Sequence, residues 1–165
     1  MKSNTSKRRW RWWVGAVALV VLGLASSVWA DLEVDTSQGN TPYTMTVNLS
    51  NNYEYIGDNG SGSFTQPASP VYTNQVNIDL EIAASTTGSG SYTLSGGILS
   101  ASQWEDGGMY GTGLFTQTGG SNILTGSGLC VGTTPAGYGT YNLQVGSISA
   151  ANNEYIGYGG TGTFS

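Results

Sequence analysis

Five copies of one phrase, Gly-x-Gly-x-aromatic, punctuate this chain: Gly60-Ser-Gly-Ser-Phe64, Gly88-Ser-Gly-Ser-Tyr92, Gly111-Thr-Gly-Leu-Phe115, Gly137-Tyr-Gly-Thr-Tyr141 and Gly160-Thr-Gly-Thr-Phe164. Their aromatics fall 28, 23, 26 and 23 residues apart, and a degenerate forerunner stands at Tyr43. A period in this range marks a stack of like supersecondary units rather than one globular core. The clearest internal match needs no gap: Tyr92-Thr-Leu-Ser-Gly-Gly-Ile-Leu-Ser-Ala aligns with Tyr141-Asn-Leu-Gln-Val-Gly-Ser-Ile-Ser-Ala at an offset of 49. The same offset carries Glu105 onto Glu154, Gly108 onto Gly157 and Phe115 onto Phe164. At an offset of 100, Glu54-Tyr-Ile-Gly57 falls on Glu154-Tyr-Ile-Gly157. The repeating unit is therefore about fifty residues long with two related halves, and Leu129-Cys-Val-Gly132 is the half-unit echo of Glu154-Tyr-Ile-Gly157.

Inside a half-unit the signals are strands and corners. Tyr141, Leu143 and Val145 alternate with Asn142 and Gln144, the period of a strand with one buried face. Gly96-Gly97, Gly119-Gly120 and the Gly-x-Gly steps themselves supply positions where positive φ costs little. No stretch after residue 30 offers a capped, periodic helix. Short strands and glycine corners recurring every ~25 residues predict an all-β parallel β-helix (a β-solenoid). Counting the winding near Tyr43, six turns at β-strand spacing would make a rod about 29 Å long. Phe64, Tyr92, Phe115, Tyr141 and Phe164 would then stack as a ladder. The alternative fold is an antiparallel β-sandwich, whose turn signals recur every 8–12 residues; a gapless offset of 49 fits it poorly.

The first thirty residues stand apart. Lys2, Lys7, Arg8, Arg9 and Arg11 form a basic start, Val14 to Leu24 is apolar, and Ser26-Ser-Val-Trp-Ala30 suits a signal peptidase. This predicts a secretory signal over 1–30 cut after Ala30. Arg8-Arg9 also invites a twin-arginine reading, against which Arg11 counts. An uncleaved anchor is the other alternative, although the apolar stretch is shorter than the ~20 residues a spanning helix needs. Residues 31–52 are expected to cap the solenoid or form a degenerate first turn, and 53–165 to form the repeats. Beyond Ala30 there is no Lys, Arg or His, and all ten carboxylates remain, a net charge of about −10. Such a chain repels nucleic acid and anionic membrane surfaces. Cys130 is alone, so disulfides do not hold the fold.

Candidate chemistry rests on carboxylates. Asp79 and Glu81 alternate with Ile78, Leu80 and Ile82, which places both on one strand face with Cβ atoms roughly 7 Å apart. That separation suits an inverting glycosidase, but an inward aliphatic face and a solvated acidic one explain the pattern as well. Asp31, Glu33 and Asp35 repeat it around Leu32 and Val34; a Ca²⁺ site would use such oxygens, yet the spacing of a calcium loop is absent, and a solvated first strand is the simpler reading. Glu54, Glu105 and Glu154 recur through structural repetition, tolerable because intervening half-units separate them. Trp104 stands where the next copy has Asn153, as a sugar-stacking ring or a gap filler. Cys130 takes the place of Tyr155 as a small hydrophobe. Without His, a Ser-His-Asp arrangement is impossible and zinc sites of the Cys and His kind are excluded. No cofactor and no metal are expected.

Leu129-Cys-Val-Gly followed by Gly137-Tyr-Gly-Thr-Tyr-Asn-Leu, and Glu154-Tyr-Ile-Gly-Tyr-Gly-Gly-Thr-Gly-Thr-Phe, resemble the repeat of type V secretion passengers and PEP-CTERM-associated bacterial surface proteins. The resemblance covers about 50–165 and weakens before Tyr53 and through 67–87. It implies a parallel β-helix in a large exported protein at the cell surface or outer membrane, usually without an assigned activity. Such proteins continue through more repeats to a translocator or sorting segment, so either the array is truncated at Ser165, with further repeats and envelope attachment beyond it, or anchoring takes another route. The expected function is a non-enzymatic spacer or adhesin-like passenger that meets glycans or cell-surface components. The alternatives are a carbohydrate-active β-helix using Asp79 and Glu81, and a glycan-binding module built on Trp104 and exposed tyrosines.

Overall fold

The computed structural model describes residues 30–165; the expected signal segment, apart from Ala30, lies outside the described residues. These residues form strands and turns, and all of the strand pairs are parallel. The antiparallel sandwich is thereby excluded. The chain begins with β1 (Ala30–Val34), then winds through β2 (Tyr43–Thr44) and the long β3 (Leu49–Ile56). Next come three-stranded windings: β4 (Ser61–Gln66), β5 (Thr73–Val76) and β6 (Leu80–Ile82); then β7 (Ser89–Leu94), β8 (Ile98–Ala101) and β9 (Trp104–Gly107). They continue with β10 (Thr112–Gln117), β11 (Ser121–Leu124) and β12 (Gly128–Val131), then β13 (Tyr138–Leu143), β14 (Ser147–Ala150) and β15 (Asn153–Ile156). Strand β16 (Thr161–Phe164) opens the next winding.

The coil has three faces. Face A stacks β2, β4, β7, β10, β13 and β16. Face B stacks the first half of β3 with β5, β8, β11 and β14. Face C stacks β1, the second half of β3, β6, β9, β12 and β15. Because β3 runs through both, faces B and C form one ten-stranded sheet. Register along face A joins Tyr43, Phe64, Tyr92, Phe115, Tyr141 and Phe164, so six rungs enclose five turns. Consecutive rings stack with centroids 5.2, 4.7, 5.0, 4.5 and 5.1 Å apart. That is strand spacing, and it is also a favourable distance for offset-stacked rings.

The Gly-x-Gly steps work differently from the sequence expectation, whereas Gly97 and Gly120 match it. The second glycine of each motif copy is not at positive φ; a Cβ there has no room. On Gly62 it would strike the Val34 carbonyl, and on Gly139 the Gly107 carbonyl, where face A passes the end of face C. Left-handed backbone falls at Gly97 and Gly120, as expected, and also just after β3, β9, β12 and β15, at Gly57, Gly108, Gly132 and Gly157. Ala83 occupies that same corner with φ 60°. A second difference concerns Val145, expected on the buried side of a strand: β13 ends at Leu143, and Val145 lies at the corner beyond it, exposed.

Inside the coil, successive windings alternate in chemistry. The face A column is Tyr, Phe, Tyr, Phe, Tyr, Phe, and the position two residues on runs Gln66, Leu94, Gln117, Leu143. Face B contributes Asn74, Leu99, Asn122 and Ile148, and face C Leu32, Glu54, Leu80, Glu105, Leu129 and Glu154. The polar members meet in two equivalent quartets. In the first, Gln66 Nε2 donates to the Tyr72 and Ile98 carbonyls, each at 3.0 Å, which fixes its amide orientation. Tyr92 Oη then donates to Gln66 Oε1 (3.0 Å), and Asn74 Nδ2 donates to Tyr92 Oη (3.0 Å) and Glu54 Oε2 (2.8 Å). The second repeats this with Gln117, Tyr141, Asn122 and Glu105, at 2.7, 3.1 and 2.8 Å. All eight side chains are buried.

The corner geometry fixes the sign of two substitutions. Ala83→Gly relieves left-handed strain and should stabilise the fold by about 0.5–1 kcal/mol after the glycine's added unfolded-state entropy. Gly108→Ala adds that strain and drives a Cβ onto the Tyr138 carbonyl, and should cost more than about 2 kcal/mol. Urea unfolding followed by tyrosine and tryptophan fluorescence checks both.

Candidate functional site

Side chains alternate across each strand, so the interior pattern dictates what faces solvent. On face C the outward column is Glu33, Tyr55, Glu81, Asp106, Cys130 and Tyr155, in register from β1 to β15. At its upper end a groove of about 430 Å³ is lined by Asp31, Glu33, Tyr55, Asp58, Glu81 and Ala84. Carboxyls crowded on one sheet face with no basic partner are pushed toward their neutral form. Burial, and then the neighbouring Asp106, Asp79 and Asp58, raise Glu81 to about 7. Burial raises Asp106 to about 6 against a 2.8 Å hydrogen bond from Thr133 Oγ1. Burial and then Glu81, Asp31, Tyr53 and Asp58 push the Tyr55 phenol up to about 12.

Aromatic rings flank this acidic column. Tyr53 stacks on Tyr55 with centroids 5.7 Å apart. Trp104 and Tyr155 stand two windings apart, Trp104 in register with Gly128 and Tyr155 with Cys130 on the winding between them, and their ring centroids lie 6.2 Å apart. Tyr155 also meets Tyr158 at 4.9 Å. Trp104 is half-buried and presents part of its ring to solvent.

The sequence candidates separate on this frame. Asp79 precedes β6, and its Oδ1 accepts a 2.8 Å hydrogen bond from the Trp104 backbone N–H. It therefore positions β9 while Glu81 faces the groove. Leu80 and Ile82 point inward, whereas Ile78 is only half-buried at the corner. Asp31, Glu33 and Asp35 do not form one solvated row. Asp35 is fully buried after β1. Its carboxylate accepts from the backbone N–H groups of Ser37 (2.7 Å), Gln38 (3.0 Å) and Asn59 (3.0 Å). Burial pushes its carboxyl up, but these bonds together with the Ser37 hydroxyl outweigh it and hold the group below the usual range. Among the described residues no group of three or more His, Cys, Asp or Glu side chains is placed to hold a metal.

Glu54 and Glu105, read from sequence as structural repetition, lie inside the coil; Glu154, in register with them, is exposed. The inward quartets do not follow from the repeat spacing alone. Their sequence signal is the Phe/Tyr alternation combined with Gln two residues after every second ring, at Gln66 and Gln117. The outer side of face A is a different surface, a shallow groove lined by Ser61, Ser63, Ser89, Ser91 and Thr112 with no titratable group among its lining residues. Among the described residues no helix is long and apolar enough to cross a membrane. No family model, no curated protein and no solved structure matches this chain.

Cys130 faces outward between Asp106 and Tyr155 yet is only 4% exposed. Burial and then Asp106 raise its thiol to about 11. Folded protein at pH 8 should therefore alkylate with iodoacetamide at least ten times more slowly than urea-unfolded protein, read by mass spectrometry. Equal rates in the two states would contradict this environment.

Proposed function

We propose that this chain is a non-enzymatic, rigid β-solenoid segment of an exported bacterial surface protein, a spacer or adhesin-like passenger whose face C meets neutral glycans or cell-surface components. The observation that carries this reading is the outer column of face C. Rings at Tyr53, Tyr55, Trp104, Tyr155 and Tyr158 border carboxyls that are not neutralised by any basic side chain in the described residues. Aromatic faces stack on sugar rings and carboxyls accept from hydroxyls, while the net charge rejects polyanions. The basic-then-apolar pattern of residues 1–30 supports export, and the repeat resemblance supports a surface passenger. The interior supports a mechanical role, since five turns are tied by ring stacking and hydrogen-bonded quartets along one axis.

A second reading, a carbohydrate-active β-helix, is favoured by one observation: Glu81 is raised to about 7, the range of a general acid at neutral pH. Neutral and acidic polysaccharides discriminate the two. The spacer reading expects reversible binding of a neutral polysaccharide, seen as a change in Trp104 fluorescence, with at least fivefold weaker binding in Trp104→Ala and no turnover. Turnover of a pectin-type or alginate-type substrate that Glu81→Gln abolishes would replace it with the enzyme reading. Removal of residues 1–30 should leave the protein in the cytoplasm of an expressing bacterium; export without them would refute the signal.

A further inference from the structure

Each quartet leaves two oxygens without a donor. Glu54 Oε1 and Asn74 Oδ1, and likewise Glu105 Oε1 and Asn122 Oδ1, are buried and unpartnered. Rotating the amides cannot help. The backbone carbonyls orient Gln66 and Gln117, which makes each tyrosine a donor to glutamine and an acceptor from asparagine. Both asparagine N–H bonds are thereby spent, one on the tyrosine and one on the glutamate. One proton on the free carboxyl oxygen supplies the missing donor, and the asparagine oxygen is the acceptor left without one. A carboxylic acid facing a primary amide then exchanges two hydrogen bonds in a ring, O–H to O and N–H to O.

We infer that Glu54 and Glu105 are carried as neutral carboxylic acids, each closing a two-bond ring with Asn74 or Asn122, so that the quartets clasp alternate windings only while protonated. Apart from the one asparagine N–H on each, the surroundings supply nothing that would hold the charged form. Glu54 lies between Leu32 and Leu80, and Glu105 between Leu80 and Leu129. The titratable groups acting on Glu54 are Tyr43, Tyr92 and Glu105; those on Glu105 are Asp106, Tyr92, Tyr141 and Glu54. Glu154 reaches the second quartet through Tyr141. All of these are acids. Burial accordingly raises both glutamates to about 8.

The direction of the pH effect follows. The folded-state value lies above the unfolded one, so the contribution is fully present below about 4.5, shrinks as pH rises, and is gone above about 8. Glu81 and Asp106 act in the same sense over a lower range, so they are neutralised first as E81Q/D106N. In that background, unfolding of the full chain in urea should become more favourable by up to about a hundredfold per pH unit between pH 5 and 8, one decade per glutamate. Adding E54Q/E105Q keeps the second donor to asparagine and should flatten the profile to within threefold. Infrared spectra of the folded protein at pH 6 should show a protonated carboxyl C=O band that this double substitution removes. If E54Q/E105Q does not fold, the chain's own apolar solution serves: E54L/Q66L/N74L/Y92F with E105L/Q117L/N122L/Y141F should fold without the steep pH dependence. An unchanged slope in either variant, or carboxylate bands alone at these positions at pH 6, would overturn the assignment.

Discussion

Parallel, in-register stacking of one winding on the next is the constraint from which the rest of this structure descends. It brings each residue within about 4.8 Å of its counterpart one turn later, along the whole length of the coil. Like therefore meets like, and the sequence has to make that favourable at every inward position. Flat rings satisfy the requirement well: stacked 4.5 to 5.2 Å apart, they bury their faces against one another while the backbone keeps its ladder. Carboxyls do not satisfy it, because two of them one strand apart would repel. The interior resolves this by alternation, with Leu80 and Leu129 between the glutamates of face C.

Alternation explains why the natural unit is two windings rather than one. Gln, Asn, Glu and Tyr belong to neighbouring turns and complete each other across the axis, while the intervening positions hold Leu, Leu, Leu and Phe. A buried polar set of this kind contributes little net stability over an apolar equivalent, and it penalises wrong pairings heavily. A winding slipped by one turn would set Glu on Glu and leave a tyrosine hydroxyl facing Leu. The quartets thus act on register, and the stacked rings supply cohesion.

Much of this was legible in the sequence because repetition exposes register directly. The offset of 49 that aligns Tyr92 with Tyr141 is a two-winding step in the coil, and Cys130 indeed lies beside Tyr155. Other features were hidden for definable reasons. Gly62 and Gly139 read as flexible corners, since a sequence does not reveal that a carbonyl from another face occupies the space of a Cβ. Asp35 read as one more solvated acid because its carboxylate turns back onto the local N–H groups of Ser37 and Gln38, and its third backbone donor, Asn59, meets it only after folding. Glu54 and Glu105 read as structural repetition with no face assigned, and only the closed network shows how a carboxyl is accommodated inside. The outward column on face C required knowledge of which strand half points in.

Electrostatics ties the interior and exterior together. With ten carboxyls and no basic side chain beyond residue 30, the solenoid has no counter-charge of its own, and every acid must be solvated, hydrogen-bonded or neutral. Asp35 takes the second course, held ionised by backbone N–H groups. Glu54 and Glu105 take the third, and Glu81, crowded by Asp106 and Asp79, is displaced partway toward it. An all-acidic rod can stay folded only if such assignments are distributed along its axis, because charges concentrated on consecutive windings would add their repulsion at strand spacing. The two-winding period supplies that distribution inside. On the outer column Tyr55, Cys130 and Tyr155 interrupt the carboxyls except at Glu81 and Asp106, which stand on consecutive windings and are both raised.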